Sequence, residues 1–408
     1  MKAGLSVRKQ GWIEAAAMGR VLLLFLLFSG PAATVLLVAP RAAFCQSDSR
    51  PRTFRRPGAS AADERRFRIA IDRGLWFLQS SSAESGRIGS KYPVGTTSLA
   101  GLAVLGAGFQ PGQEPFDEML KRCVGYLLES ATPSGYITES DSGSDTDSGS
   151  RMHGHCFAIL FLTQVLGSLP LEMESNVRDA IERGVHVIEG AQSREGGWYY
   201  TPRNESQRDE ASVTICAVQA LRAARNSGFR VNRTTIDQGI SYVRRCQEAD
   251  GSVRYSLSGR DRRTSFSLTA AAVATLNAAG VYKGTPANES SVALRRGTDY
   301  LKKFLALEGR RPERAVKPQF FFYGNLYTAQ ALFQEGGATW KKWYPTIRQN
   351  LLKADYFKQS DKLVKGVVKG VGWWVTPAGE SPYGREYATA VTLLILEIPL
   401  GYLPIFQR

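Results

Sequence analysis

Along most of this chain, apolar residues recur at helical spacing in two alternating kinds of segment. From Ala211 to Gly228, Val213, Cys216, Ala217, Ala220, Leu221 and Ala224 fall on one stripe, which predicts a helix from about Glu210 to Asn226 with a buried face. Asp209 and Glu210 stand at its start, where carboxylates favour the positive end of the helix dipole, and Gly228 offers a left-handed stop. A shorter helix is predicted ahead of it over 184–192, closed by the turn Gly196-Gly197-Trp198.

The same pair recurs. First helices carrying a glycine, an aromatic or leucine, and then a glutamine or other polar residue before a glycine turn begin at Gly74, Gly125, Gly239 and Gly297. Second helices follow over 96–108, 153–167, 265–280 and 322–337, and a sixth, degenerate pair runs from Trp343 through Trp373-Trp374 to 386–400. The glycines at 74, 125, 184, 239 and 297 are 51, 59, 55 and 58 residues apart, the period of a helix-pair repeat. Twelve helices then form either an open solenoid or a closed ring.

The period overrides the two or three domains that 408 residues would otherwise suggest, and predicts one domain over 61–408. Residues 1–45 read as a signal peptide or signal anchor: Lys2, Arg8, Lys9 and Arg20 precede a long apolar run interrupted by Gly30-Pro31. Residues 46–60 read as an Arg- and Pro-rich linker. The protein is thus expected to be exported, to the periplasm, cell envelope or medium. The net charge of +15 is spread over helix faces such as Arg222, Arg225, Arg244 and Arg245, which reads as a solvated surface and argues against a nucleic-acid partner. Five cysteines lack CxxC spacing, and Cys123, Cys156 and Cys216 read as buried thiols.

The helix pairs with Gly196-Gly197-Trp198 and Asp250-Gly251-Ser252 turns resemble the prenyltransferase and squalene-cyclase repeat superfamily. The segments at 153–167 and 211–228 and the terminal GYLPIFQR are similar to an exported bacterial subfamily with no established activity. The resemblance implies an all-α fold, an (α/α)6 toroid of six helix pairs with one ring of helices inside another. It also directs attention to the starts of the inner helices, which line the mouth of such a ring.

In class II terpene cyclases an Asp-x-Asp-Asp motif precedes an inner helix, and its middle acid protonates an alkene. Here the matching run is Arg208-Asp209-Glu210-Ala211, so Glu210, with Asp209 beside it, is the catalytic candidate. Arg208 is expected to favour ionised carboxylates, the wrong direction for a proton donor, and dipole capping is the alternative role. Asp145 and Asp147 lie in a Gly/Ser stretch and read as a solvated loop. No Asp-x-Cys zinc pair occurs, and His153 and His155 diverge by about 200° on a helix, so neither metal nor cofactor is expected; one of them caps the helix or lines the cavity. His186 reads as surface.

Trp198, Trp373 and Trp374 read as wedges between helix pairs, whereas Tyr199, Tyr323, Asn325 and Tyr327 join His153 and His155 as candidate ligand-binding residues. Because the catalytic signatures are absent or degraded, the leading expectation is a non-catalytic toroid. It would bind an isoprenoid or other apolar ligand, a peptide, or an envelope partner at its mouth. The alternative is a proton-initiated terpenoid cyclase or related lyase using Glu210 and cavity aromatics.

Overall fold

The structure is a computed structural model that describes residues 60–139, 151–203, 208–258, 262–280, 288–308 and 316–406. The expected signal segment, most of the linker and the 145–147 acids lie outside these residues. Among these residues, twelve α-helices alternate between an outer and an inner layer. The outer set is α1 (Ala61–Ser80), α3 (Asp117–Glu129), α5 (Leu171–Gly190), α7 (Arg233–Arg245), α9 (Glu289–Glu308) and α11 (Gly337–Leu351). The inner set is α2 (Pro93–Gly106), α4 (Arg151–Val165), α6 (Ala211–Asn226), α8 (Phe266–Ala278), α10 (Phe321–Glu335) and α12 (Arg385–Glu397). Each inner helix packs on the next, and α12 packs back on α2. The ring is therefore closed, and the solenoid alternative is excluded.

The two layers differ because their surroundings differ. Every residue of α2 is buried, as is nearly all of α8, since an inner helix meets protein on all sides. Outer helices such as α7 bury one stripe (Ile236, Gly239, Tyr242, Val243) and leave the rest to solvent. The seam between the first and last repeats is held by Arg348 of α11, which pairs with Glu64 of α1 at 3.0 Å.

The repeat glycines do not start helices, as the spacing suggested; α5 runs for 20 residues with Gly184 well inside it. They mark where outer and inner helices touch. A Cβ on Gly184 would come within 2.4 Å of Ile159, one on Gly239 within 2.6 Å of Val218, and one on Gly297 within 2.7 Å of Val273. The turn glycines have a second job. Gly86 and Gly251 have φ of 86° and 90°, and a Cβ would lie 2.0 and 2.3 Å from the carbonyl oxygens of Arg122 and Arg296 on the next outer helix. The repeat glutamines stitch the same joint: the Gln192 amide donates to the carbonyls of Gly196 (3.0 Å) and Thr235 (2.9 Å), and that of Gln247 to Gly251 (3.2 Å) and Ala293 (2.9 Å).

Sheet structure is minor. β1 (Val253–Arg254) and β2 (Thr264–Ser265) form a short antiparallel pair before α8. The sixth pair departs from expectation: its outer helix begins at Gly337, and its connection is an antiparallel hairpin, β3 (Phe357–Val364) and β4 (Val367–Trp374), where a degenerate helix pair was read. The two turn residues, Lys365 and Gly366, both have positive φ (49° and 75°), the conformation that matches strand twist in a two-residue turn. Lys362 and Lys369 place their ammonium groups over the Phe77 and Trp76 rings of α1. Trp198 and Trp374 are fully buried wedges whose indole N–H groups donate to the ends of the preceding outer helices, at Ile188 (2.7 Å) and Leu351 (2.8 Å).

At the far end of α12, Glu397 is buried beside Gly106, Leu394, Ile398 and Leu403, and neither carboxyl oxygen has a hydrogen-bond partner among the described residues. Burial alone pushes its pKa well above the ordinary value of 4.5. In the folded chain Glu397 keeps its proton after the unfolded chain has lost one, so stability falls as pH rises from 4.5 towards the elevated folded value. Glu397→Leu is therefore expected to stabilise the protein by about 1–3 kcal/mol at neutral pH. Denaturant melts should show the gain growing from mildly acidic to mildly alkaline buffer.

Candidate functional site

Glu210 sits at the N-cap of α6, and its extended backbone is tied to the preceding turn by a hydrogen bond from its N–H to the Trp198 carbonyl (2.8 Å). One carboxyl oxygen is committed: Oε2 accepts from the Val213 N–H at 2.8 Å and from the Ser212 hydroxyl at 2.5 Å. The other, Oε1, is screened from solvent and has no partner among the described residues. Burial is the main cause that lifts the Glu210 pKa to about 7; the Ser212 and Val213 hydrogen bonds pull it down, and the neighbouring Asp209 charge pushes it up.

Arg208 does not act as expected. It is exposed and turns onto the Tyr199 ring, 5.7 Å from guanidinium carbon to centroid, so desolvation and not a cation governs Glu210. Asp209 also departs from the dipole-capping role. Its Oδ1 accepts from Tyr242 of α7 (2.5 Å), the Ser256 hydroxyl (2.8 Å) and the Leu257 N–H (3.0 Å), and so pins the next repeat's loop to this one. Burial raises its pKa, but bonds from Ser258, Tyr242, Ser256 and Leu257 outweigh that and hold it below the ordinary value. Two adjacent carboxyls are thus pushed apart, one ionised and one held neutral to near pH 7, the pattern that separates acid from spectator.

The two histidines have different fates. His153 Nε2 lies 3.0 Å from the Ser212 hydroxyl, so it reaches Glu210 through that serine, and burial lowers its pKa to about 4. His155 is fully buried; its Nδ1 accepts from the Ile137 N–H (3.1 Å) and its Nε2 lies 3.1 Å from the Gly184 carbonyl. Thr97, Thr214 and Thr269 make the corresponding bond to Ile88, Trp198 and Val253 in other repeats. His155 is therefore a repeat latch written in another residue, and its placement in the cavity is corrected. Among the described residues no three His, Cys, Asp or Glu side chains gather as a metal site.

Two tyrosine side chains lie near the acid. Burial raises the pKa of Tyr200 and Tyr323, and the Glu210 carboxyl adds to the push on both, which places them within its electrostatic reach. Tyr200 bonds Tyr255 hydroxyl to hydroxyl, and their carbonyls accept from the first turns of α4 and α6 at Met152 (3.1 Å) and Ala211 (2.9 Å). Tyr323 packs edge-on to Tyr327 at 4.8 Å, and its hydroxyl has no partner among the described residues. Tyr387, at the start of α12, also contributes to the Tyr323 shift. Asn325 is buried and donates to the Phe321 carbonyl (2.8 Å), so half of its amide is spent on its own helix. Tyr199 stacks obliquely on Tyr200 at 4.8 Å and stays half-exposed at the rim. Ser212, Tyr255 and Tyr387 were missed as site residues, although Ser212 and Tyr387 lie in the first turns of α6 and α12; Tyr255 lies in the loop between α7 and α8.

No protein-family profile matches this chain, and no curated protein matches it. Solved structures do. A variant of the type II terpene cyclase MstE from Scytonema, in complex with its substrate geranylgeranyl dihydroxybenzoate, aligns with a TM-score of 0.51 at 12% identity, covering 84% of this chain and 99% of that one. A second MstE variant, in complex with the product merosterolic acid A, gives a TM-score of 0.51 at 14% identity with the same coverage. At such identities the likeness shows the shared α/α-toroid fold.

Proposed function

We propose that this chain takes an apolar, isoprenoid-type ligand into the aromatic mouth at the starts of α6 and α10 and transfers a proton to it from Glu210, as a terpenoid-cyclase-like enzyme. The observation that carries this reading is the Glu210 carboxyl, with one oxygen held by two donors and the other buried without a partner among the described residues. In the reaction the O–H bond on Oε1 breaks and an alkene's π electrons form the new C–H bond. The carboxylate left behind keeps its bonds from Ser212 and Val213, while the carbocation faces tyrosine rings. Attack by a second alkene closes a ring, a carbon-bound proton is lost to water, and a proton taken up from water re-forms the Glu210 acid. Support also comes from the fold shared with MstE, whose structures hold an isoprenoid substrate and its product. Export, expected from residues 1–45, belongs to this proposal as the setting in which the protein meets its ligand.

A binding toroid without chemistry is the second reading, favoured by the Tyr327 hydroxyl lying 3.4 Å from Cys216 Sγ, a contact that takes up room inside the ring. Incubation with linear polyprenyl substrates, extraction and mass spectrometry with chromatography separates the two. A cyclised isomer of unchanged mass supports the enzyme. Intact, bound isoprenoid supports the binding toroid, and a protein that retains no isoprenoid overturns both.

A further inference from the structure

The β3–β4 hairpin turns through Leu363-Val364-Lys365-Gly366-Val367-Val368, an apolar run where a surface turn is ordinarily polar. Leu363 is 71% exposed, Val367 54% and Val368 68%. Leu363 and Val368 are direct partners in the strand register, so they share one face, and that face meets solvent. The rest of the hairpin is held. Val371 and Trp374 are buried, Trp374 lies against Gly74 of α1, and the Arg73 guanidinium donates to Gln359. Lys365 fastens the turn to α3 by pairing with Glu118 at 2.8 Å. An apolar tip on a fixed support loses little freedom on docking, which favours contact with a partner.

Charge identifies the partner. From Phe357 to Trp374 the hairpin carries four lysines (Lys358, Lys362, Lys365 and Lys369) and one acid, Asp361. The nearby acids of α3 are balanced by that helix itself: Glu118 also pairs with Arg122, and Asp117 with Lys121. We infer that this hairpin docks the toroid on an anionic lipid surface, with Leu363, Val367 and Val368 entering the headgroup boundary between the lysines. Lysine stems lie along apolar surface while their ammonium groups reach lipid phosphates, and each adds attraction to the anionic layer. Trp76 and Trp373, half-buried on the flank, suit the same boundary. A second copy of the chain fits less well. It would bring two sets of lysines together along the open edge of β3, the arrangement by which edge strands resist pairing.

The test places an environment-sensitive bimane on Val368→Cys of the full chain, in a Cys45→Ser background. Cys123, Cys156, Cys216 and Cys246 are buried and do not compete for the label. A control label on Asp237→Cys reports from an exposed position on α7, three outer helices away from α1. On phosphatidylglycerol vesicles the Val368 label should shift to the blue and be quenched by brominated acyl chains, while the control stays in water. Phosphatidylcholine vesicles should bind at least about tenfold more weakly, and high salt should release the tip. Lys358→Gln and Lys365→Gln should each weaken binding about fivefold, and Leu363→Ser about tenfold. All three positions are exposed, so melting should show these variants folded. An unshifted Val368 label on anionic vesicles overturns the inference. So does equal quenching on neutral lipid, or quenching of both labels alike. A blue shift without vesicles that grows with protein concentration overturns it in favour of a second copy.

Discussion

Glu210→Gln is expected to lower the rate of product formation by about two to four orders of magnitude, the usual contribution of a positioned acid. The substitution is nearly isosteric, and the new amide oxygen can still accept from the Val213 N–H, so α6 keeps its cap and the melting profile should move little. What disappears is the transferable proton. On the proposed proton transfer, the wild-type protein should also lose activity as pH rises through about 7, because the proton-donating form is the protonated one and its pKa lies there. Below that value the rate should level off. A pH–rate profile with product quantified by mass spectrometry checks both statements, and a rate that rises with pH would assign Glu210 the role of a base.

Arg348→Met is expected to destabilise the fold by about 3–5 kcal/mol, because it strands a buried carboxylate. Arg348 is 5% exposed and Glu64 8%, and the guanidinium also lies 3.7 Å above the Phe67 ring, so one truncation removes an ion pair and a cation–π contact together. These residues join the first outer helix to the last, so the loss falls on the seam that closes the ring. Adding Glu64→Leu to Arg348→Met should recover much of the stability, since an apolar pair of similar volume needs no counter-charge. Urea titrations give the energies, and amide exchange should show α1 and α11 opening first. A loss below about 1 kcal/mol would place the pair in the class of solvated surface bridges.

The ring was legible from sequence because each helix pair repeats its own local signals. Glycines, glutamines and Gly-Trp turns recur at one period, and the structure gives each a contact: Gly184 against Ile159, Gln192 across to Thr235, Trp198 onto Ile188. The hairpin at 357–374 was missed because it replaces a repeat element and its pattern of β-branched residues and lysines lies outside the helical period. Glu210 was legible as a candidate because a carboxylate at an inner-helix start is a local fact. Its neighbours were not. Arg208 faces outward onto Tyr199, and Asp209 is claimed by Tyr242 and the 256–258 loop, partners far along the chain that spacing does not reveal. His155 misled for a related reason, since its latch bond to Ile137 is visible only beside the threonines of other repeats.

Isotope-edited infrared titration of Glu210, with Glu210→Gln as the blank, tests the central claim most directly. A protonated carboxyl has a carbonyl band well separated from that of a carboxylate, so the midpoint belongs to this one side chain once the blank is subtracted. The predicted result is a band that persists through mildly acidic pH, titrates near 7, and shifts when a short polyprenyl alcohol is added. A midpoint near the ordinary 4.5, indifferent to that ligand, would contradict it, leaving Glu210 as a helix cap and the mouth without an acid.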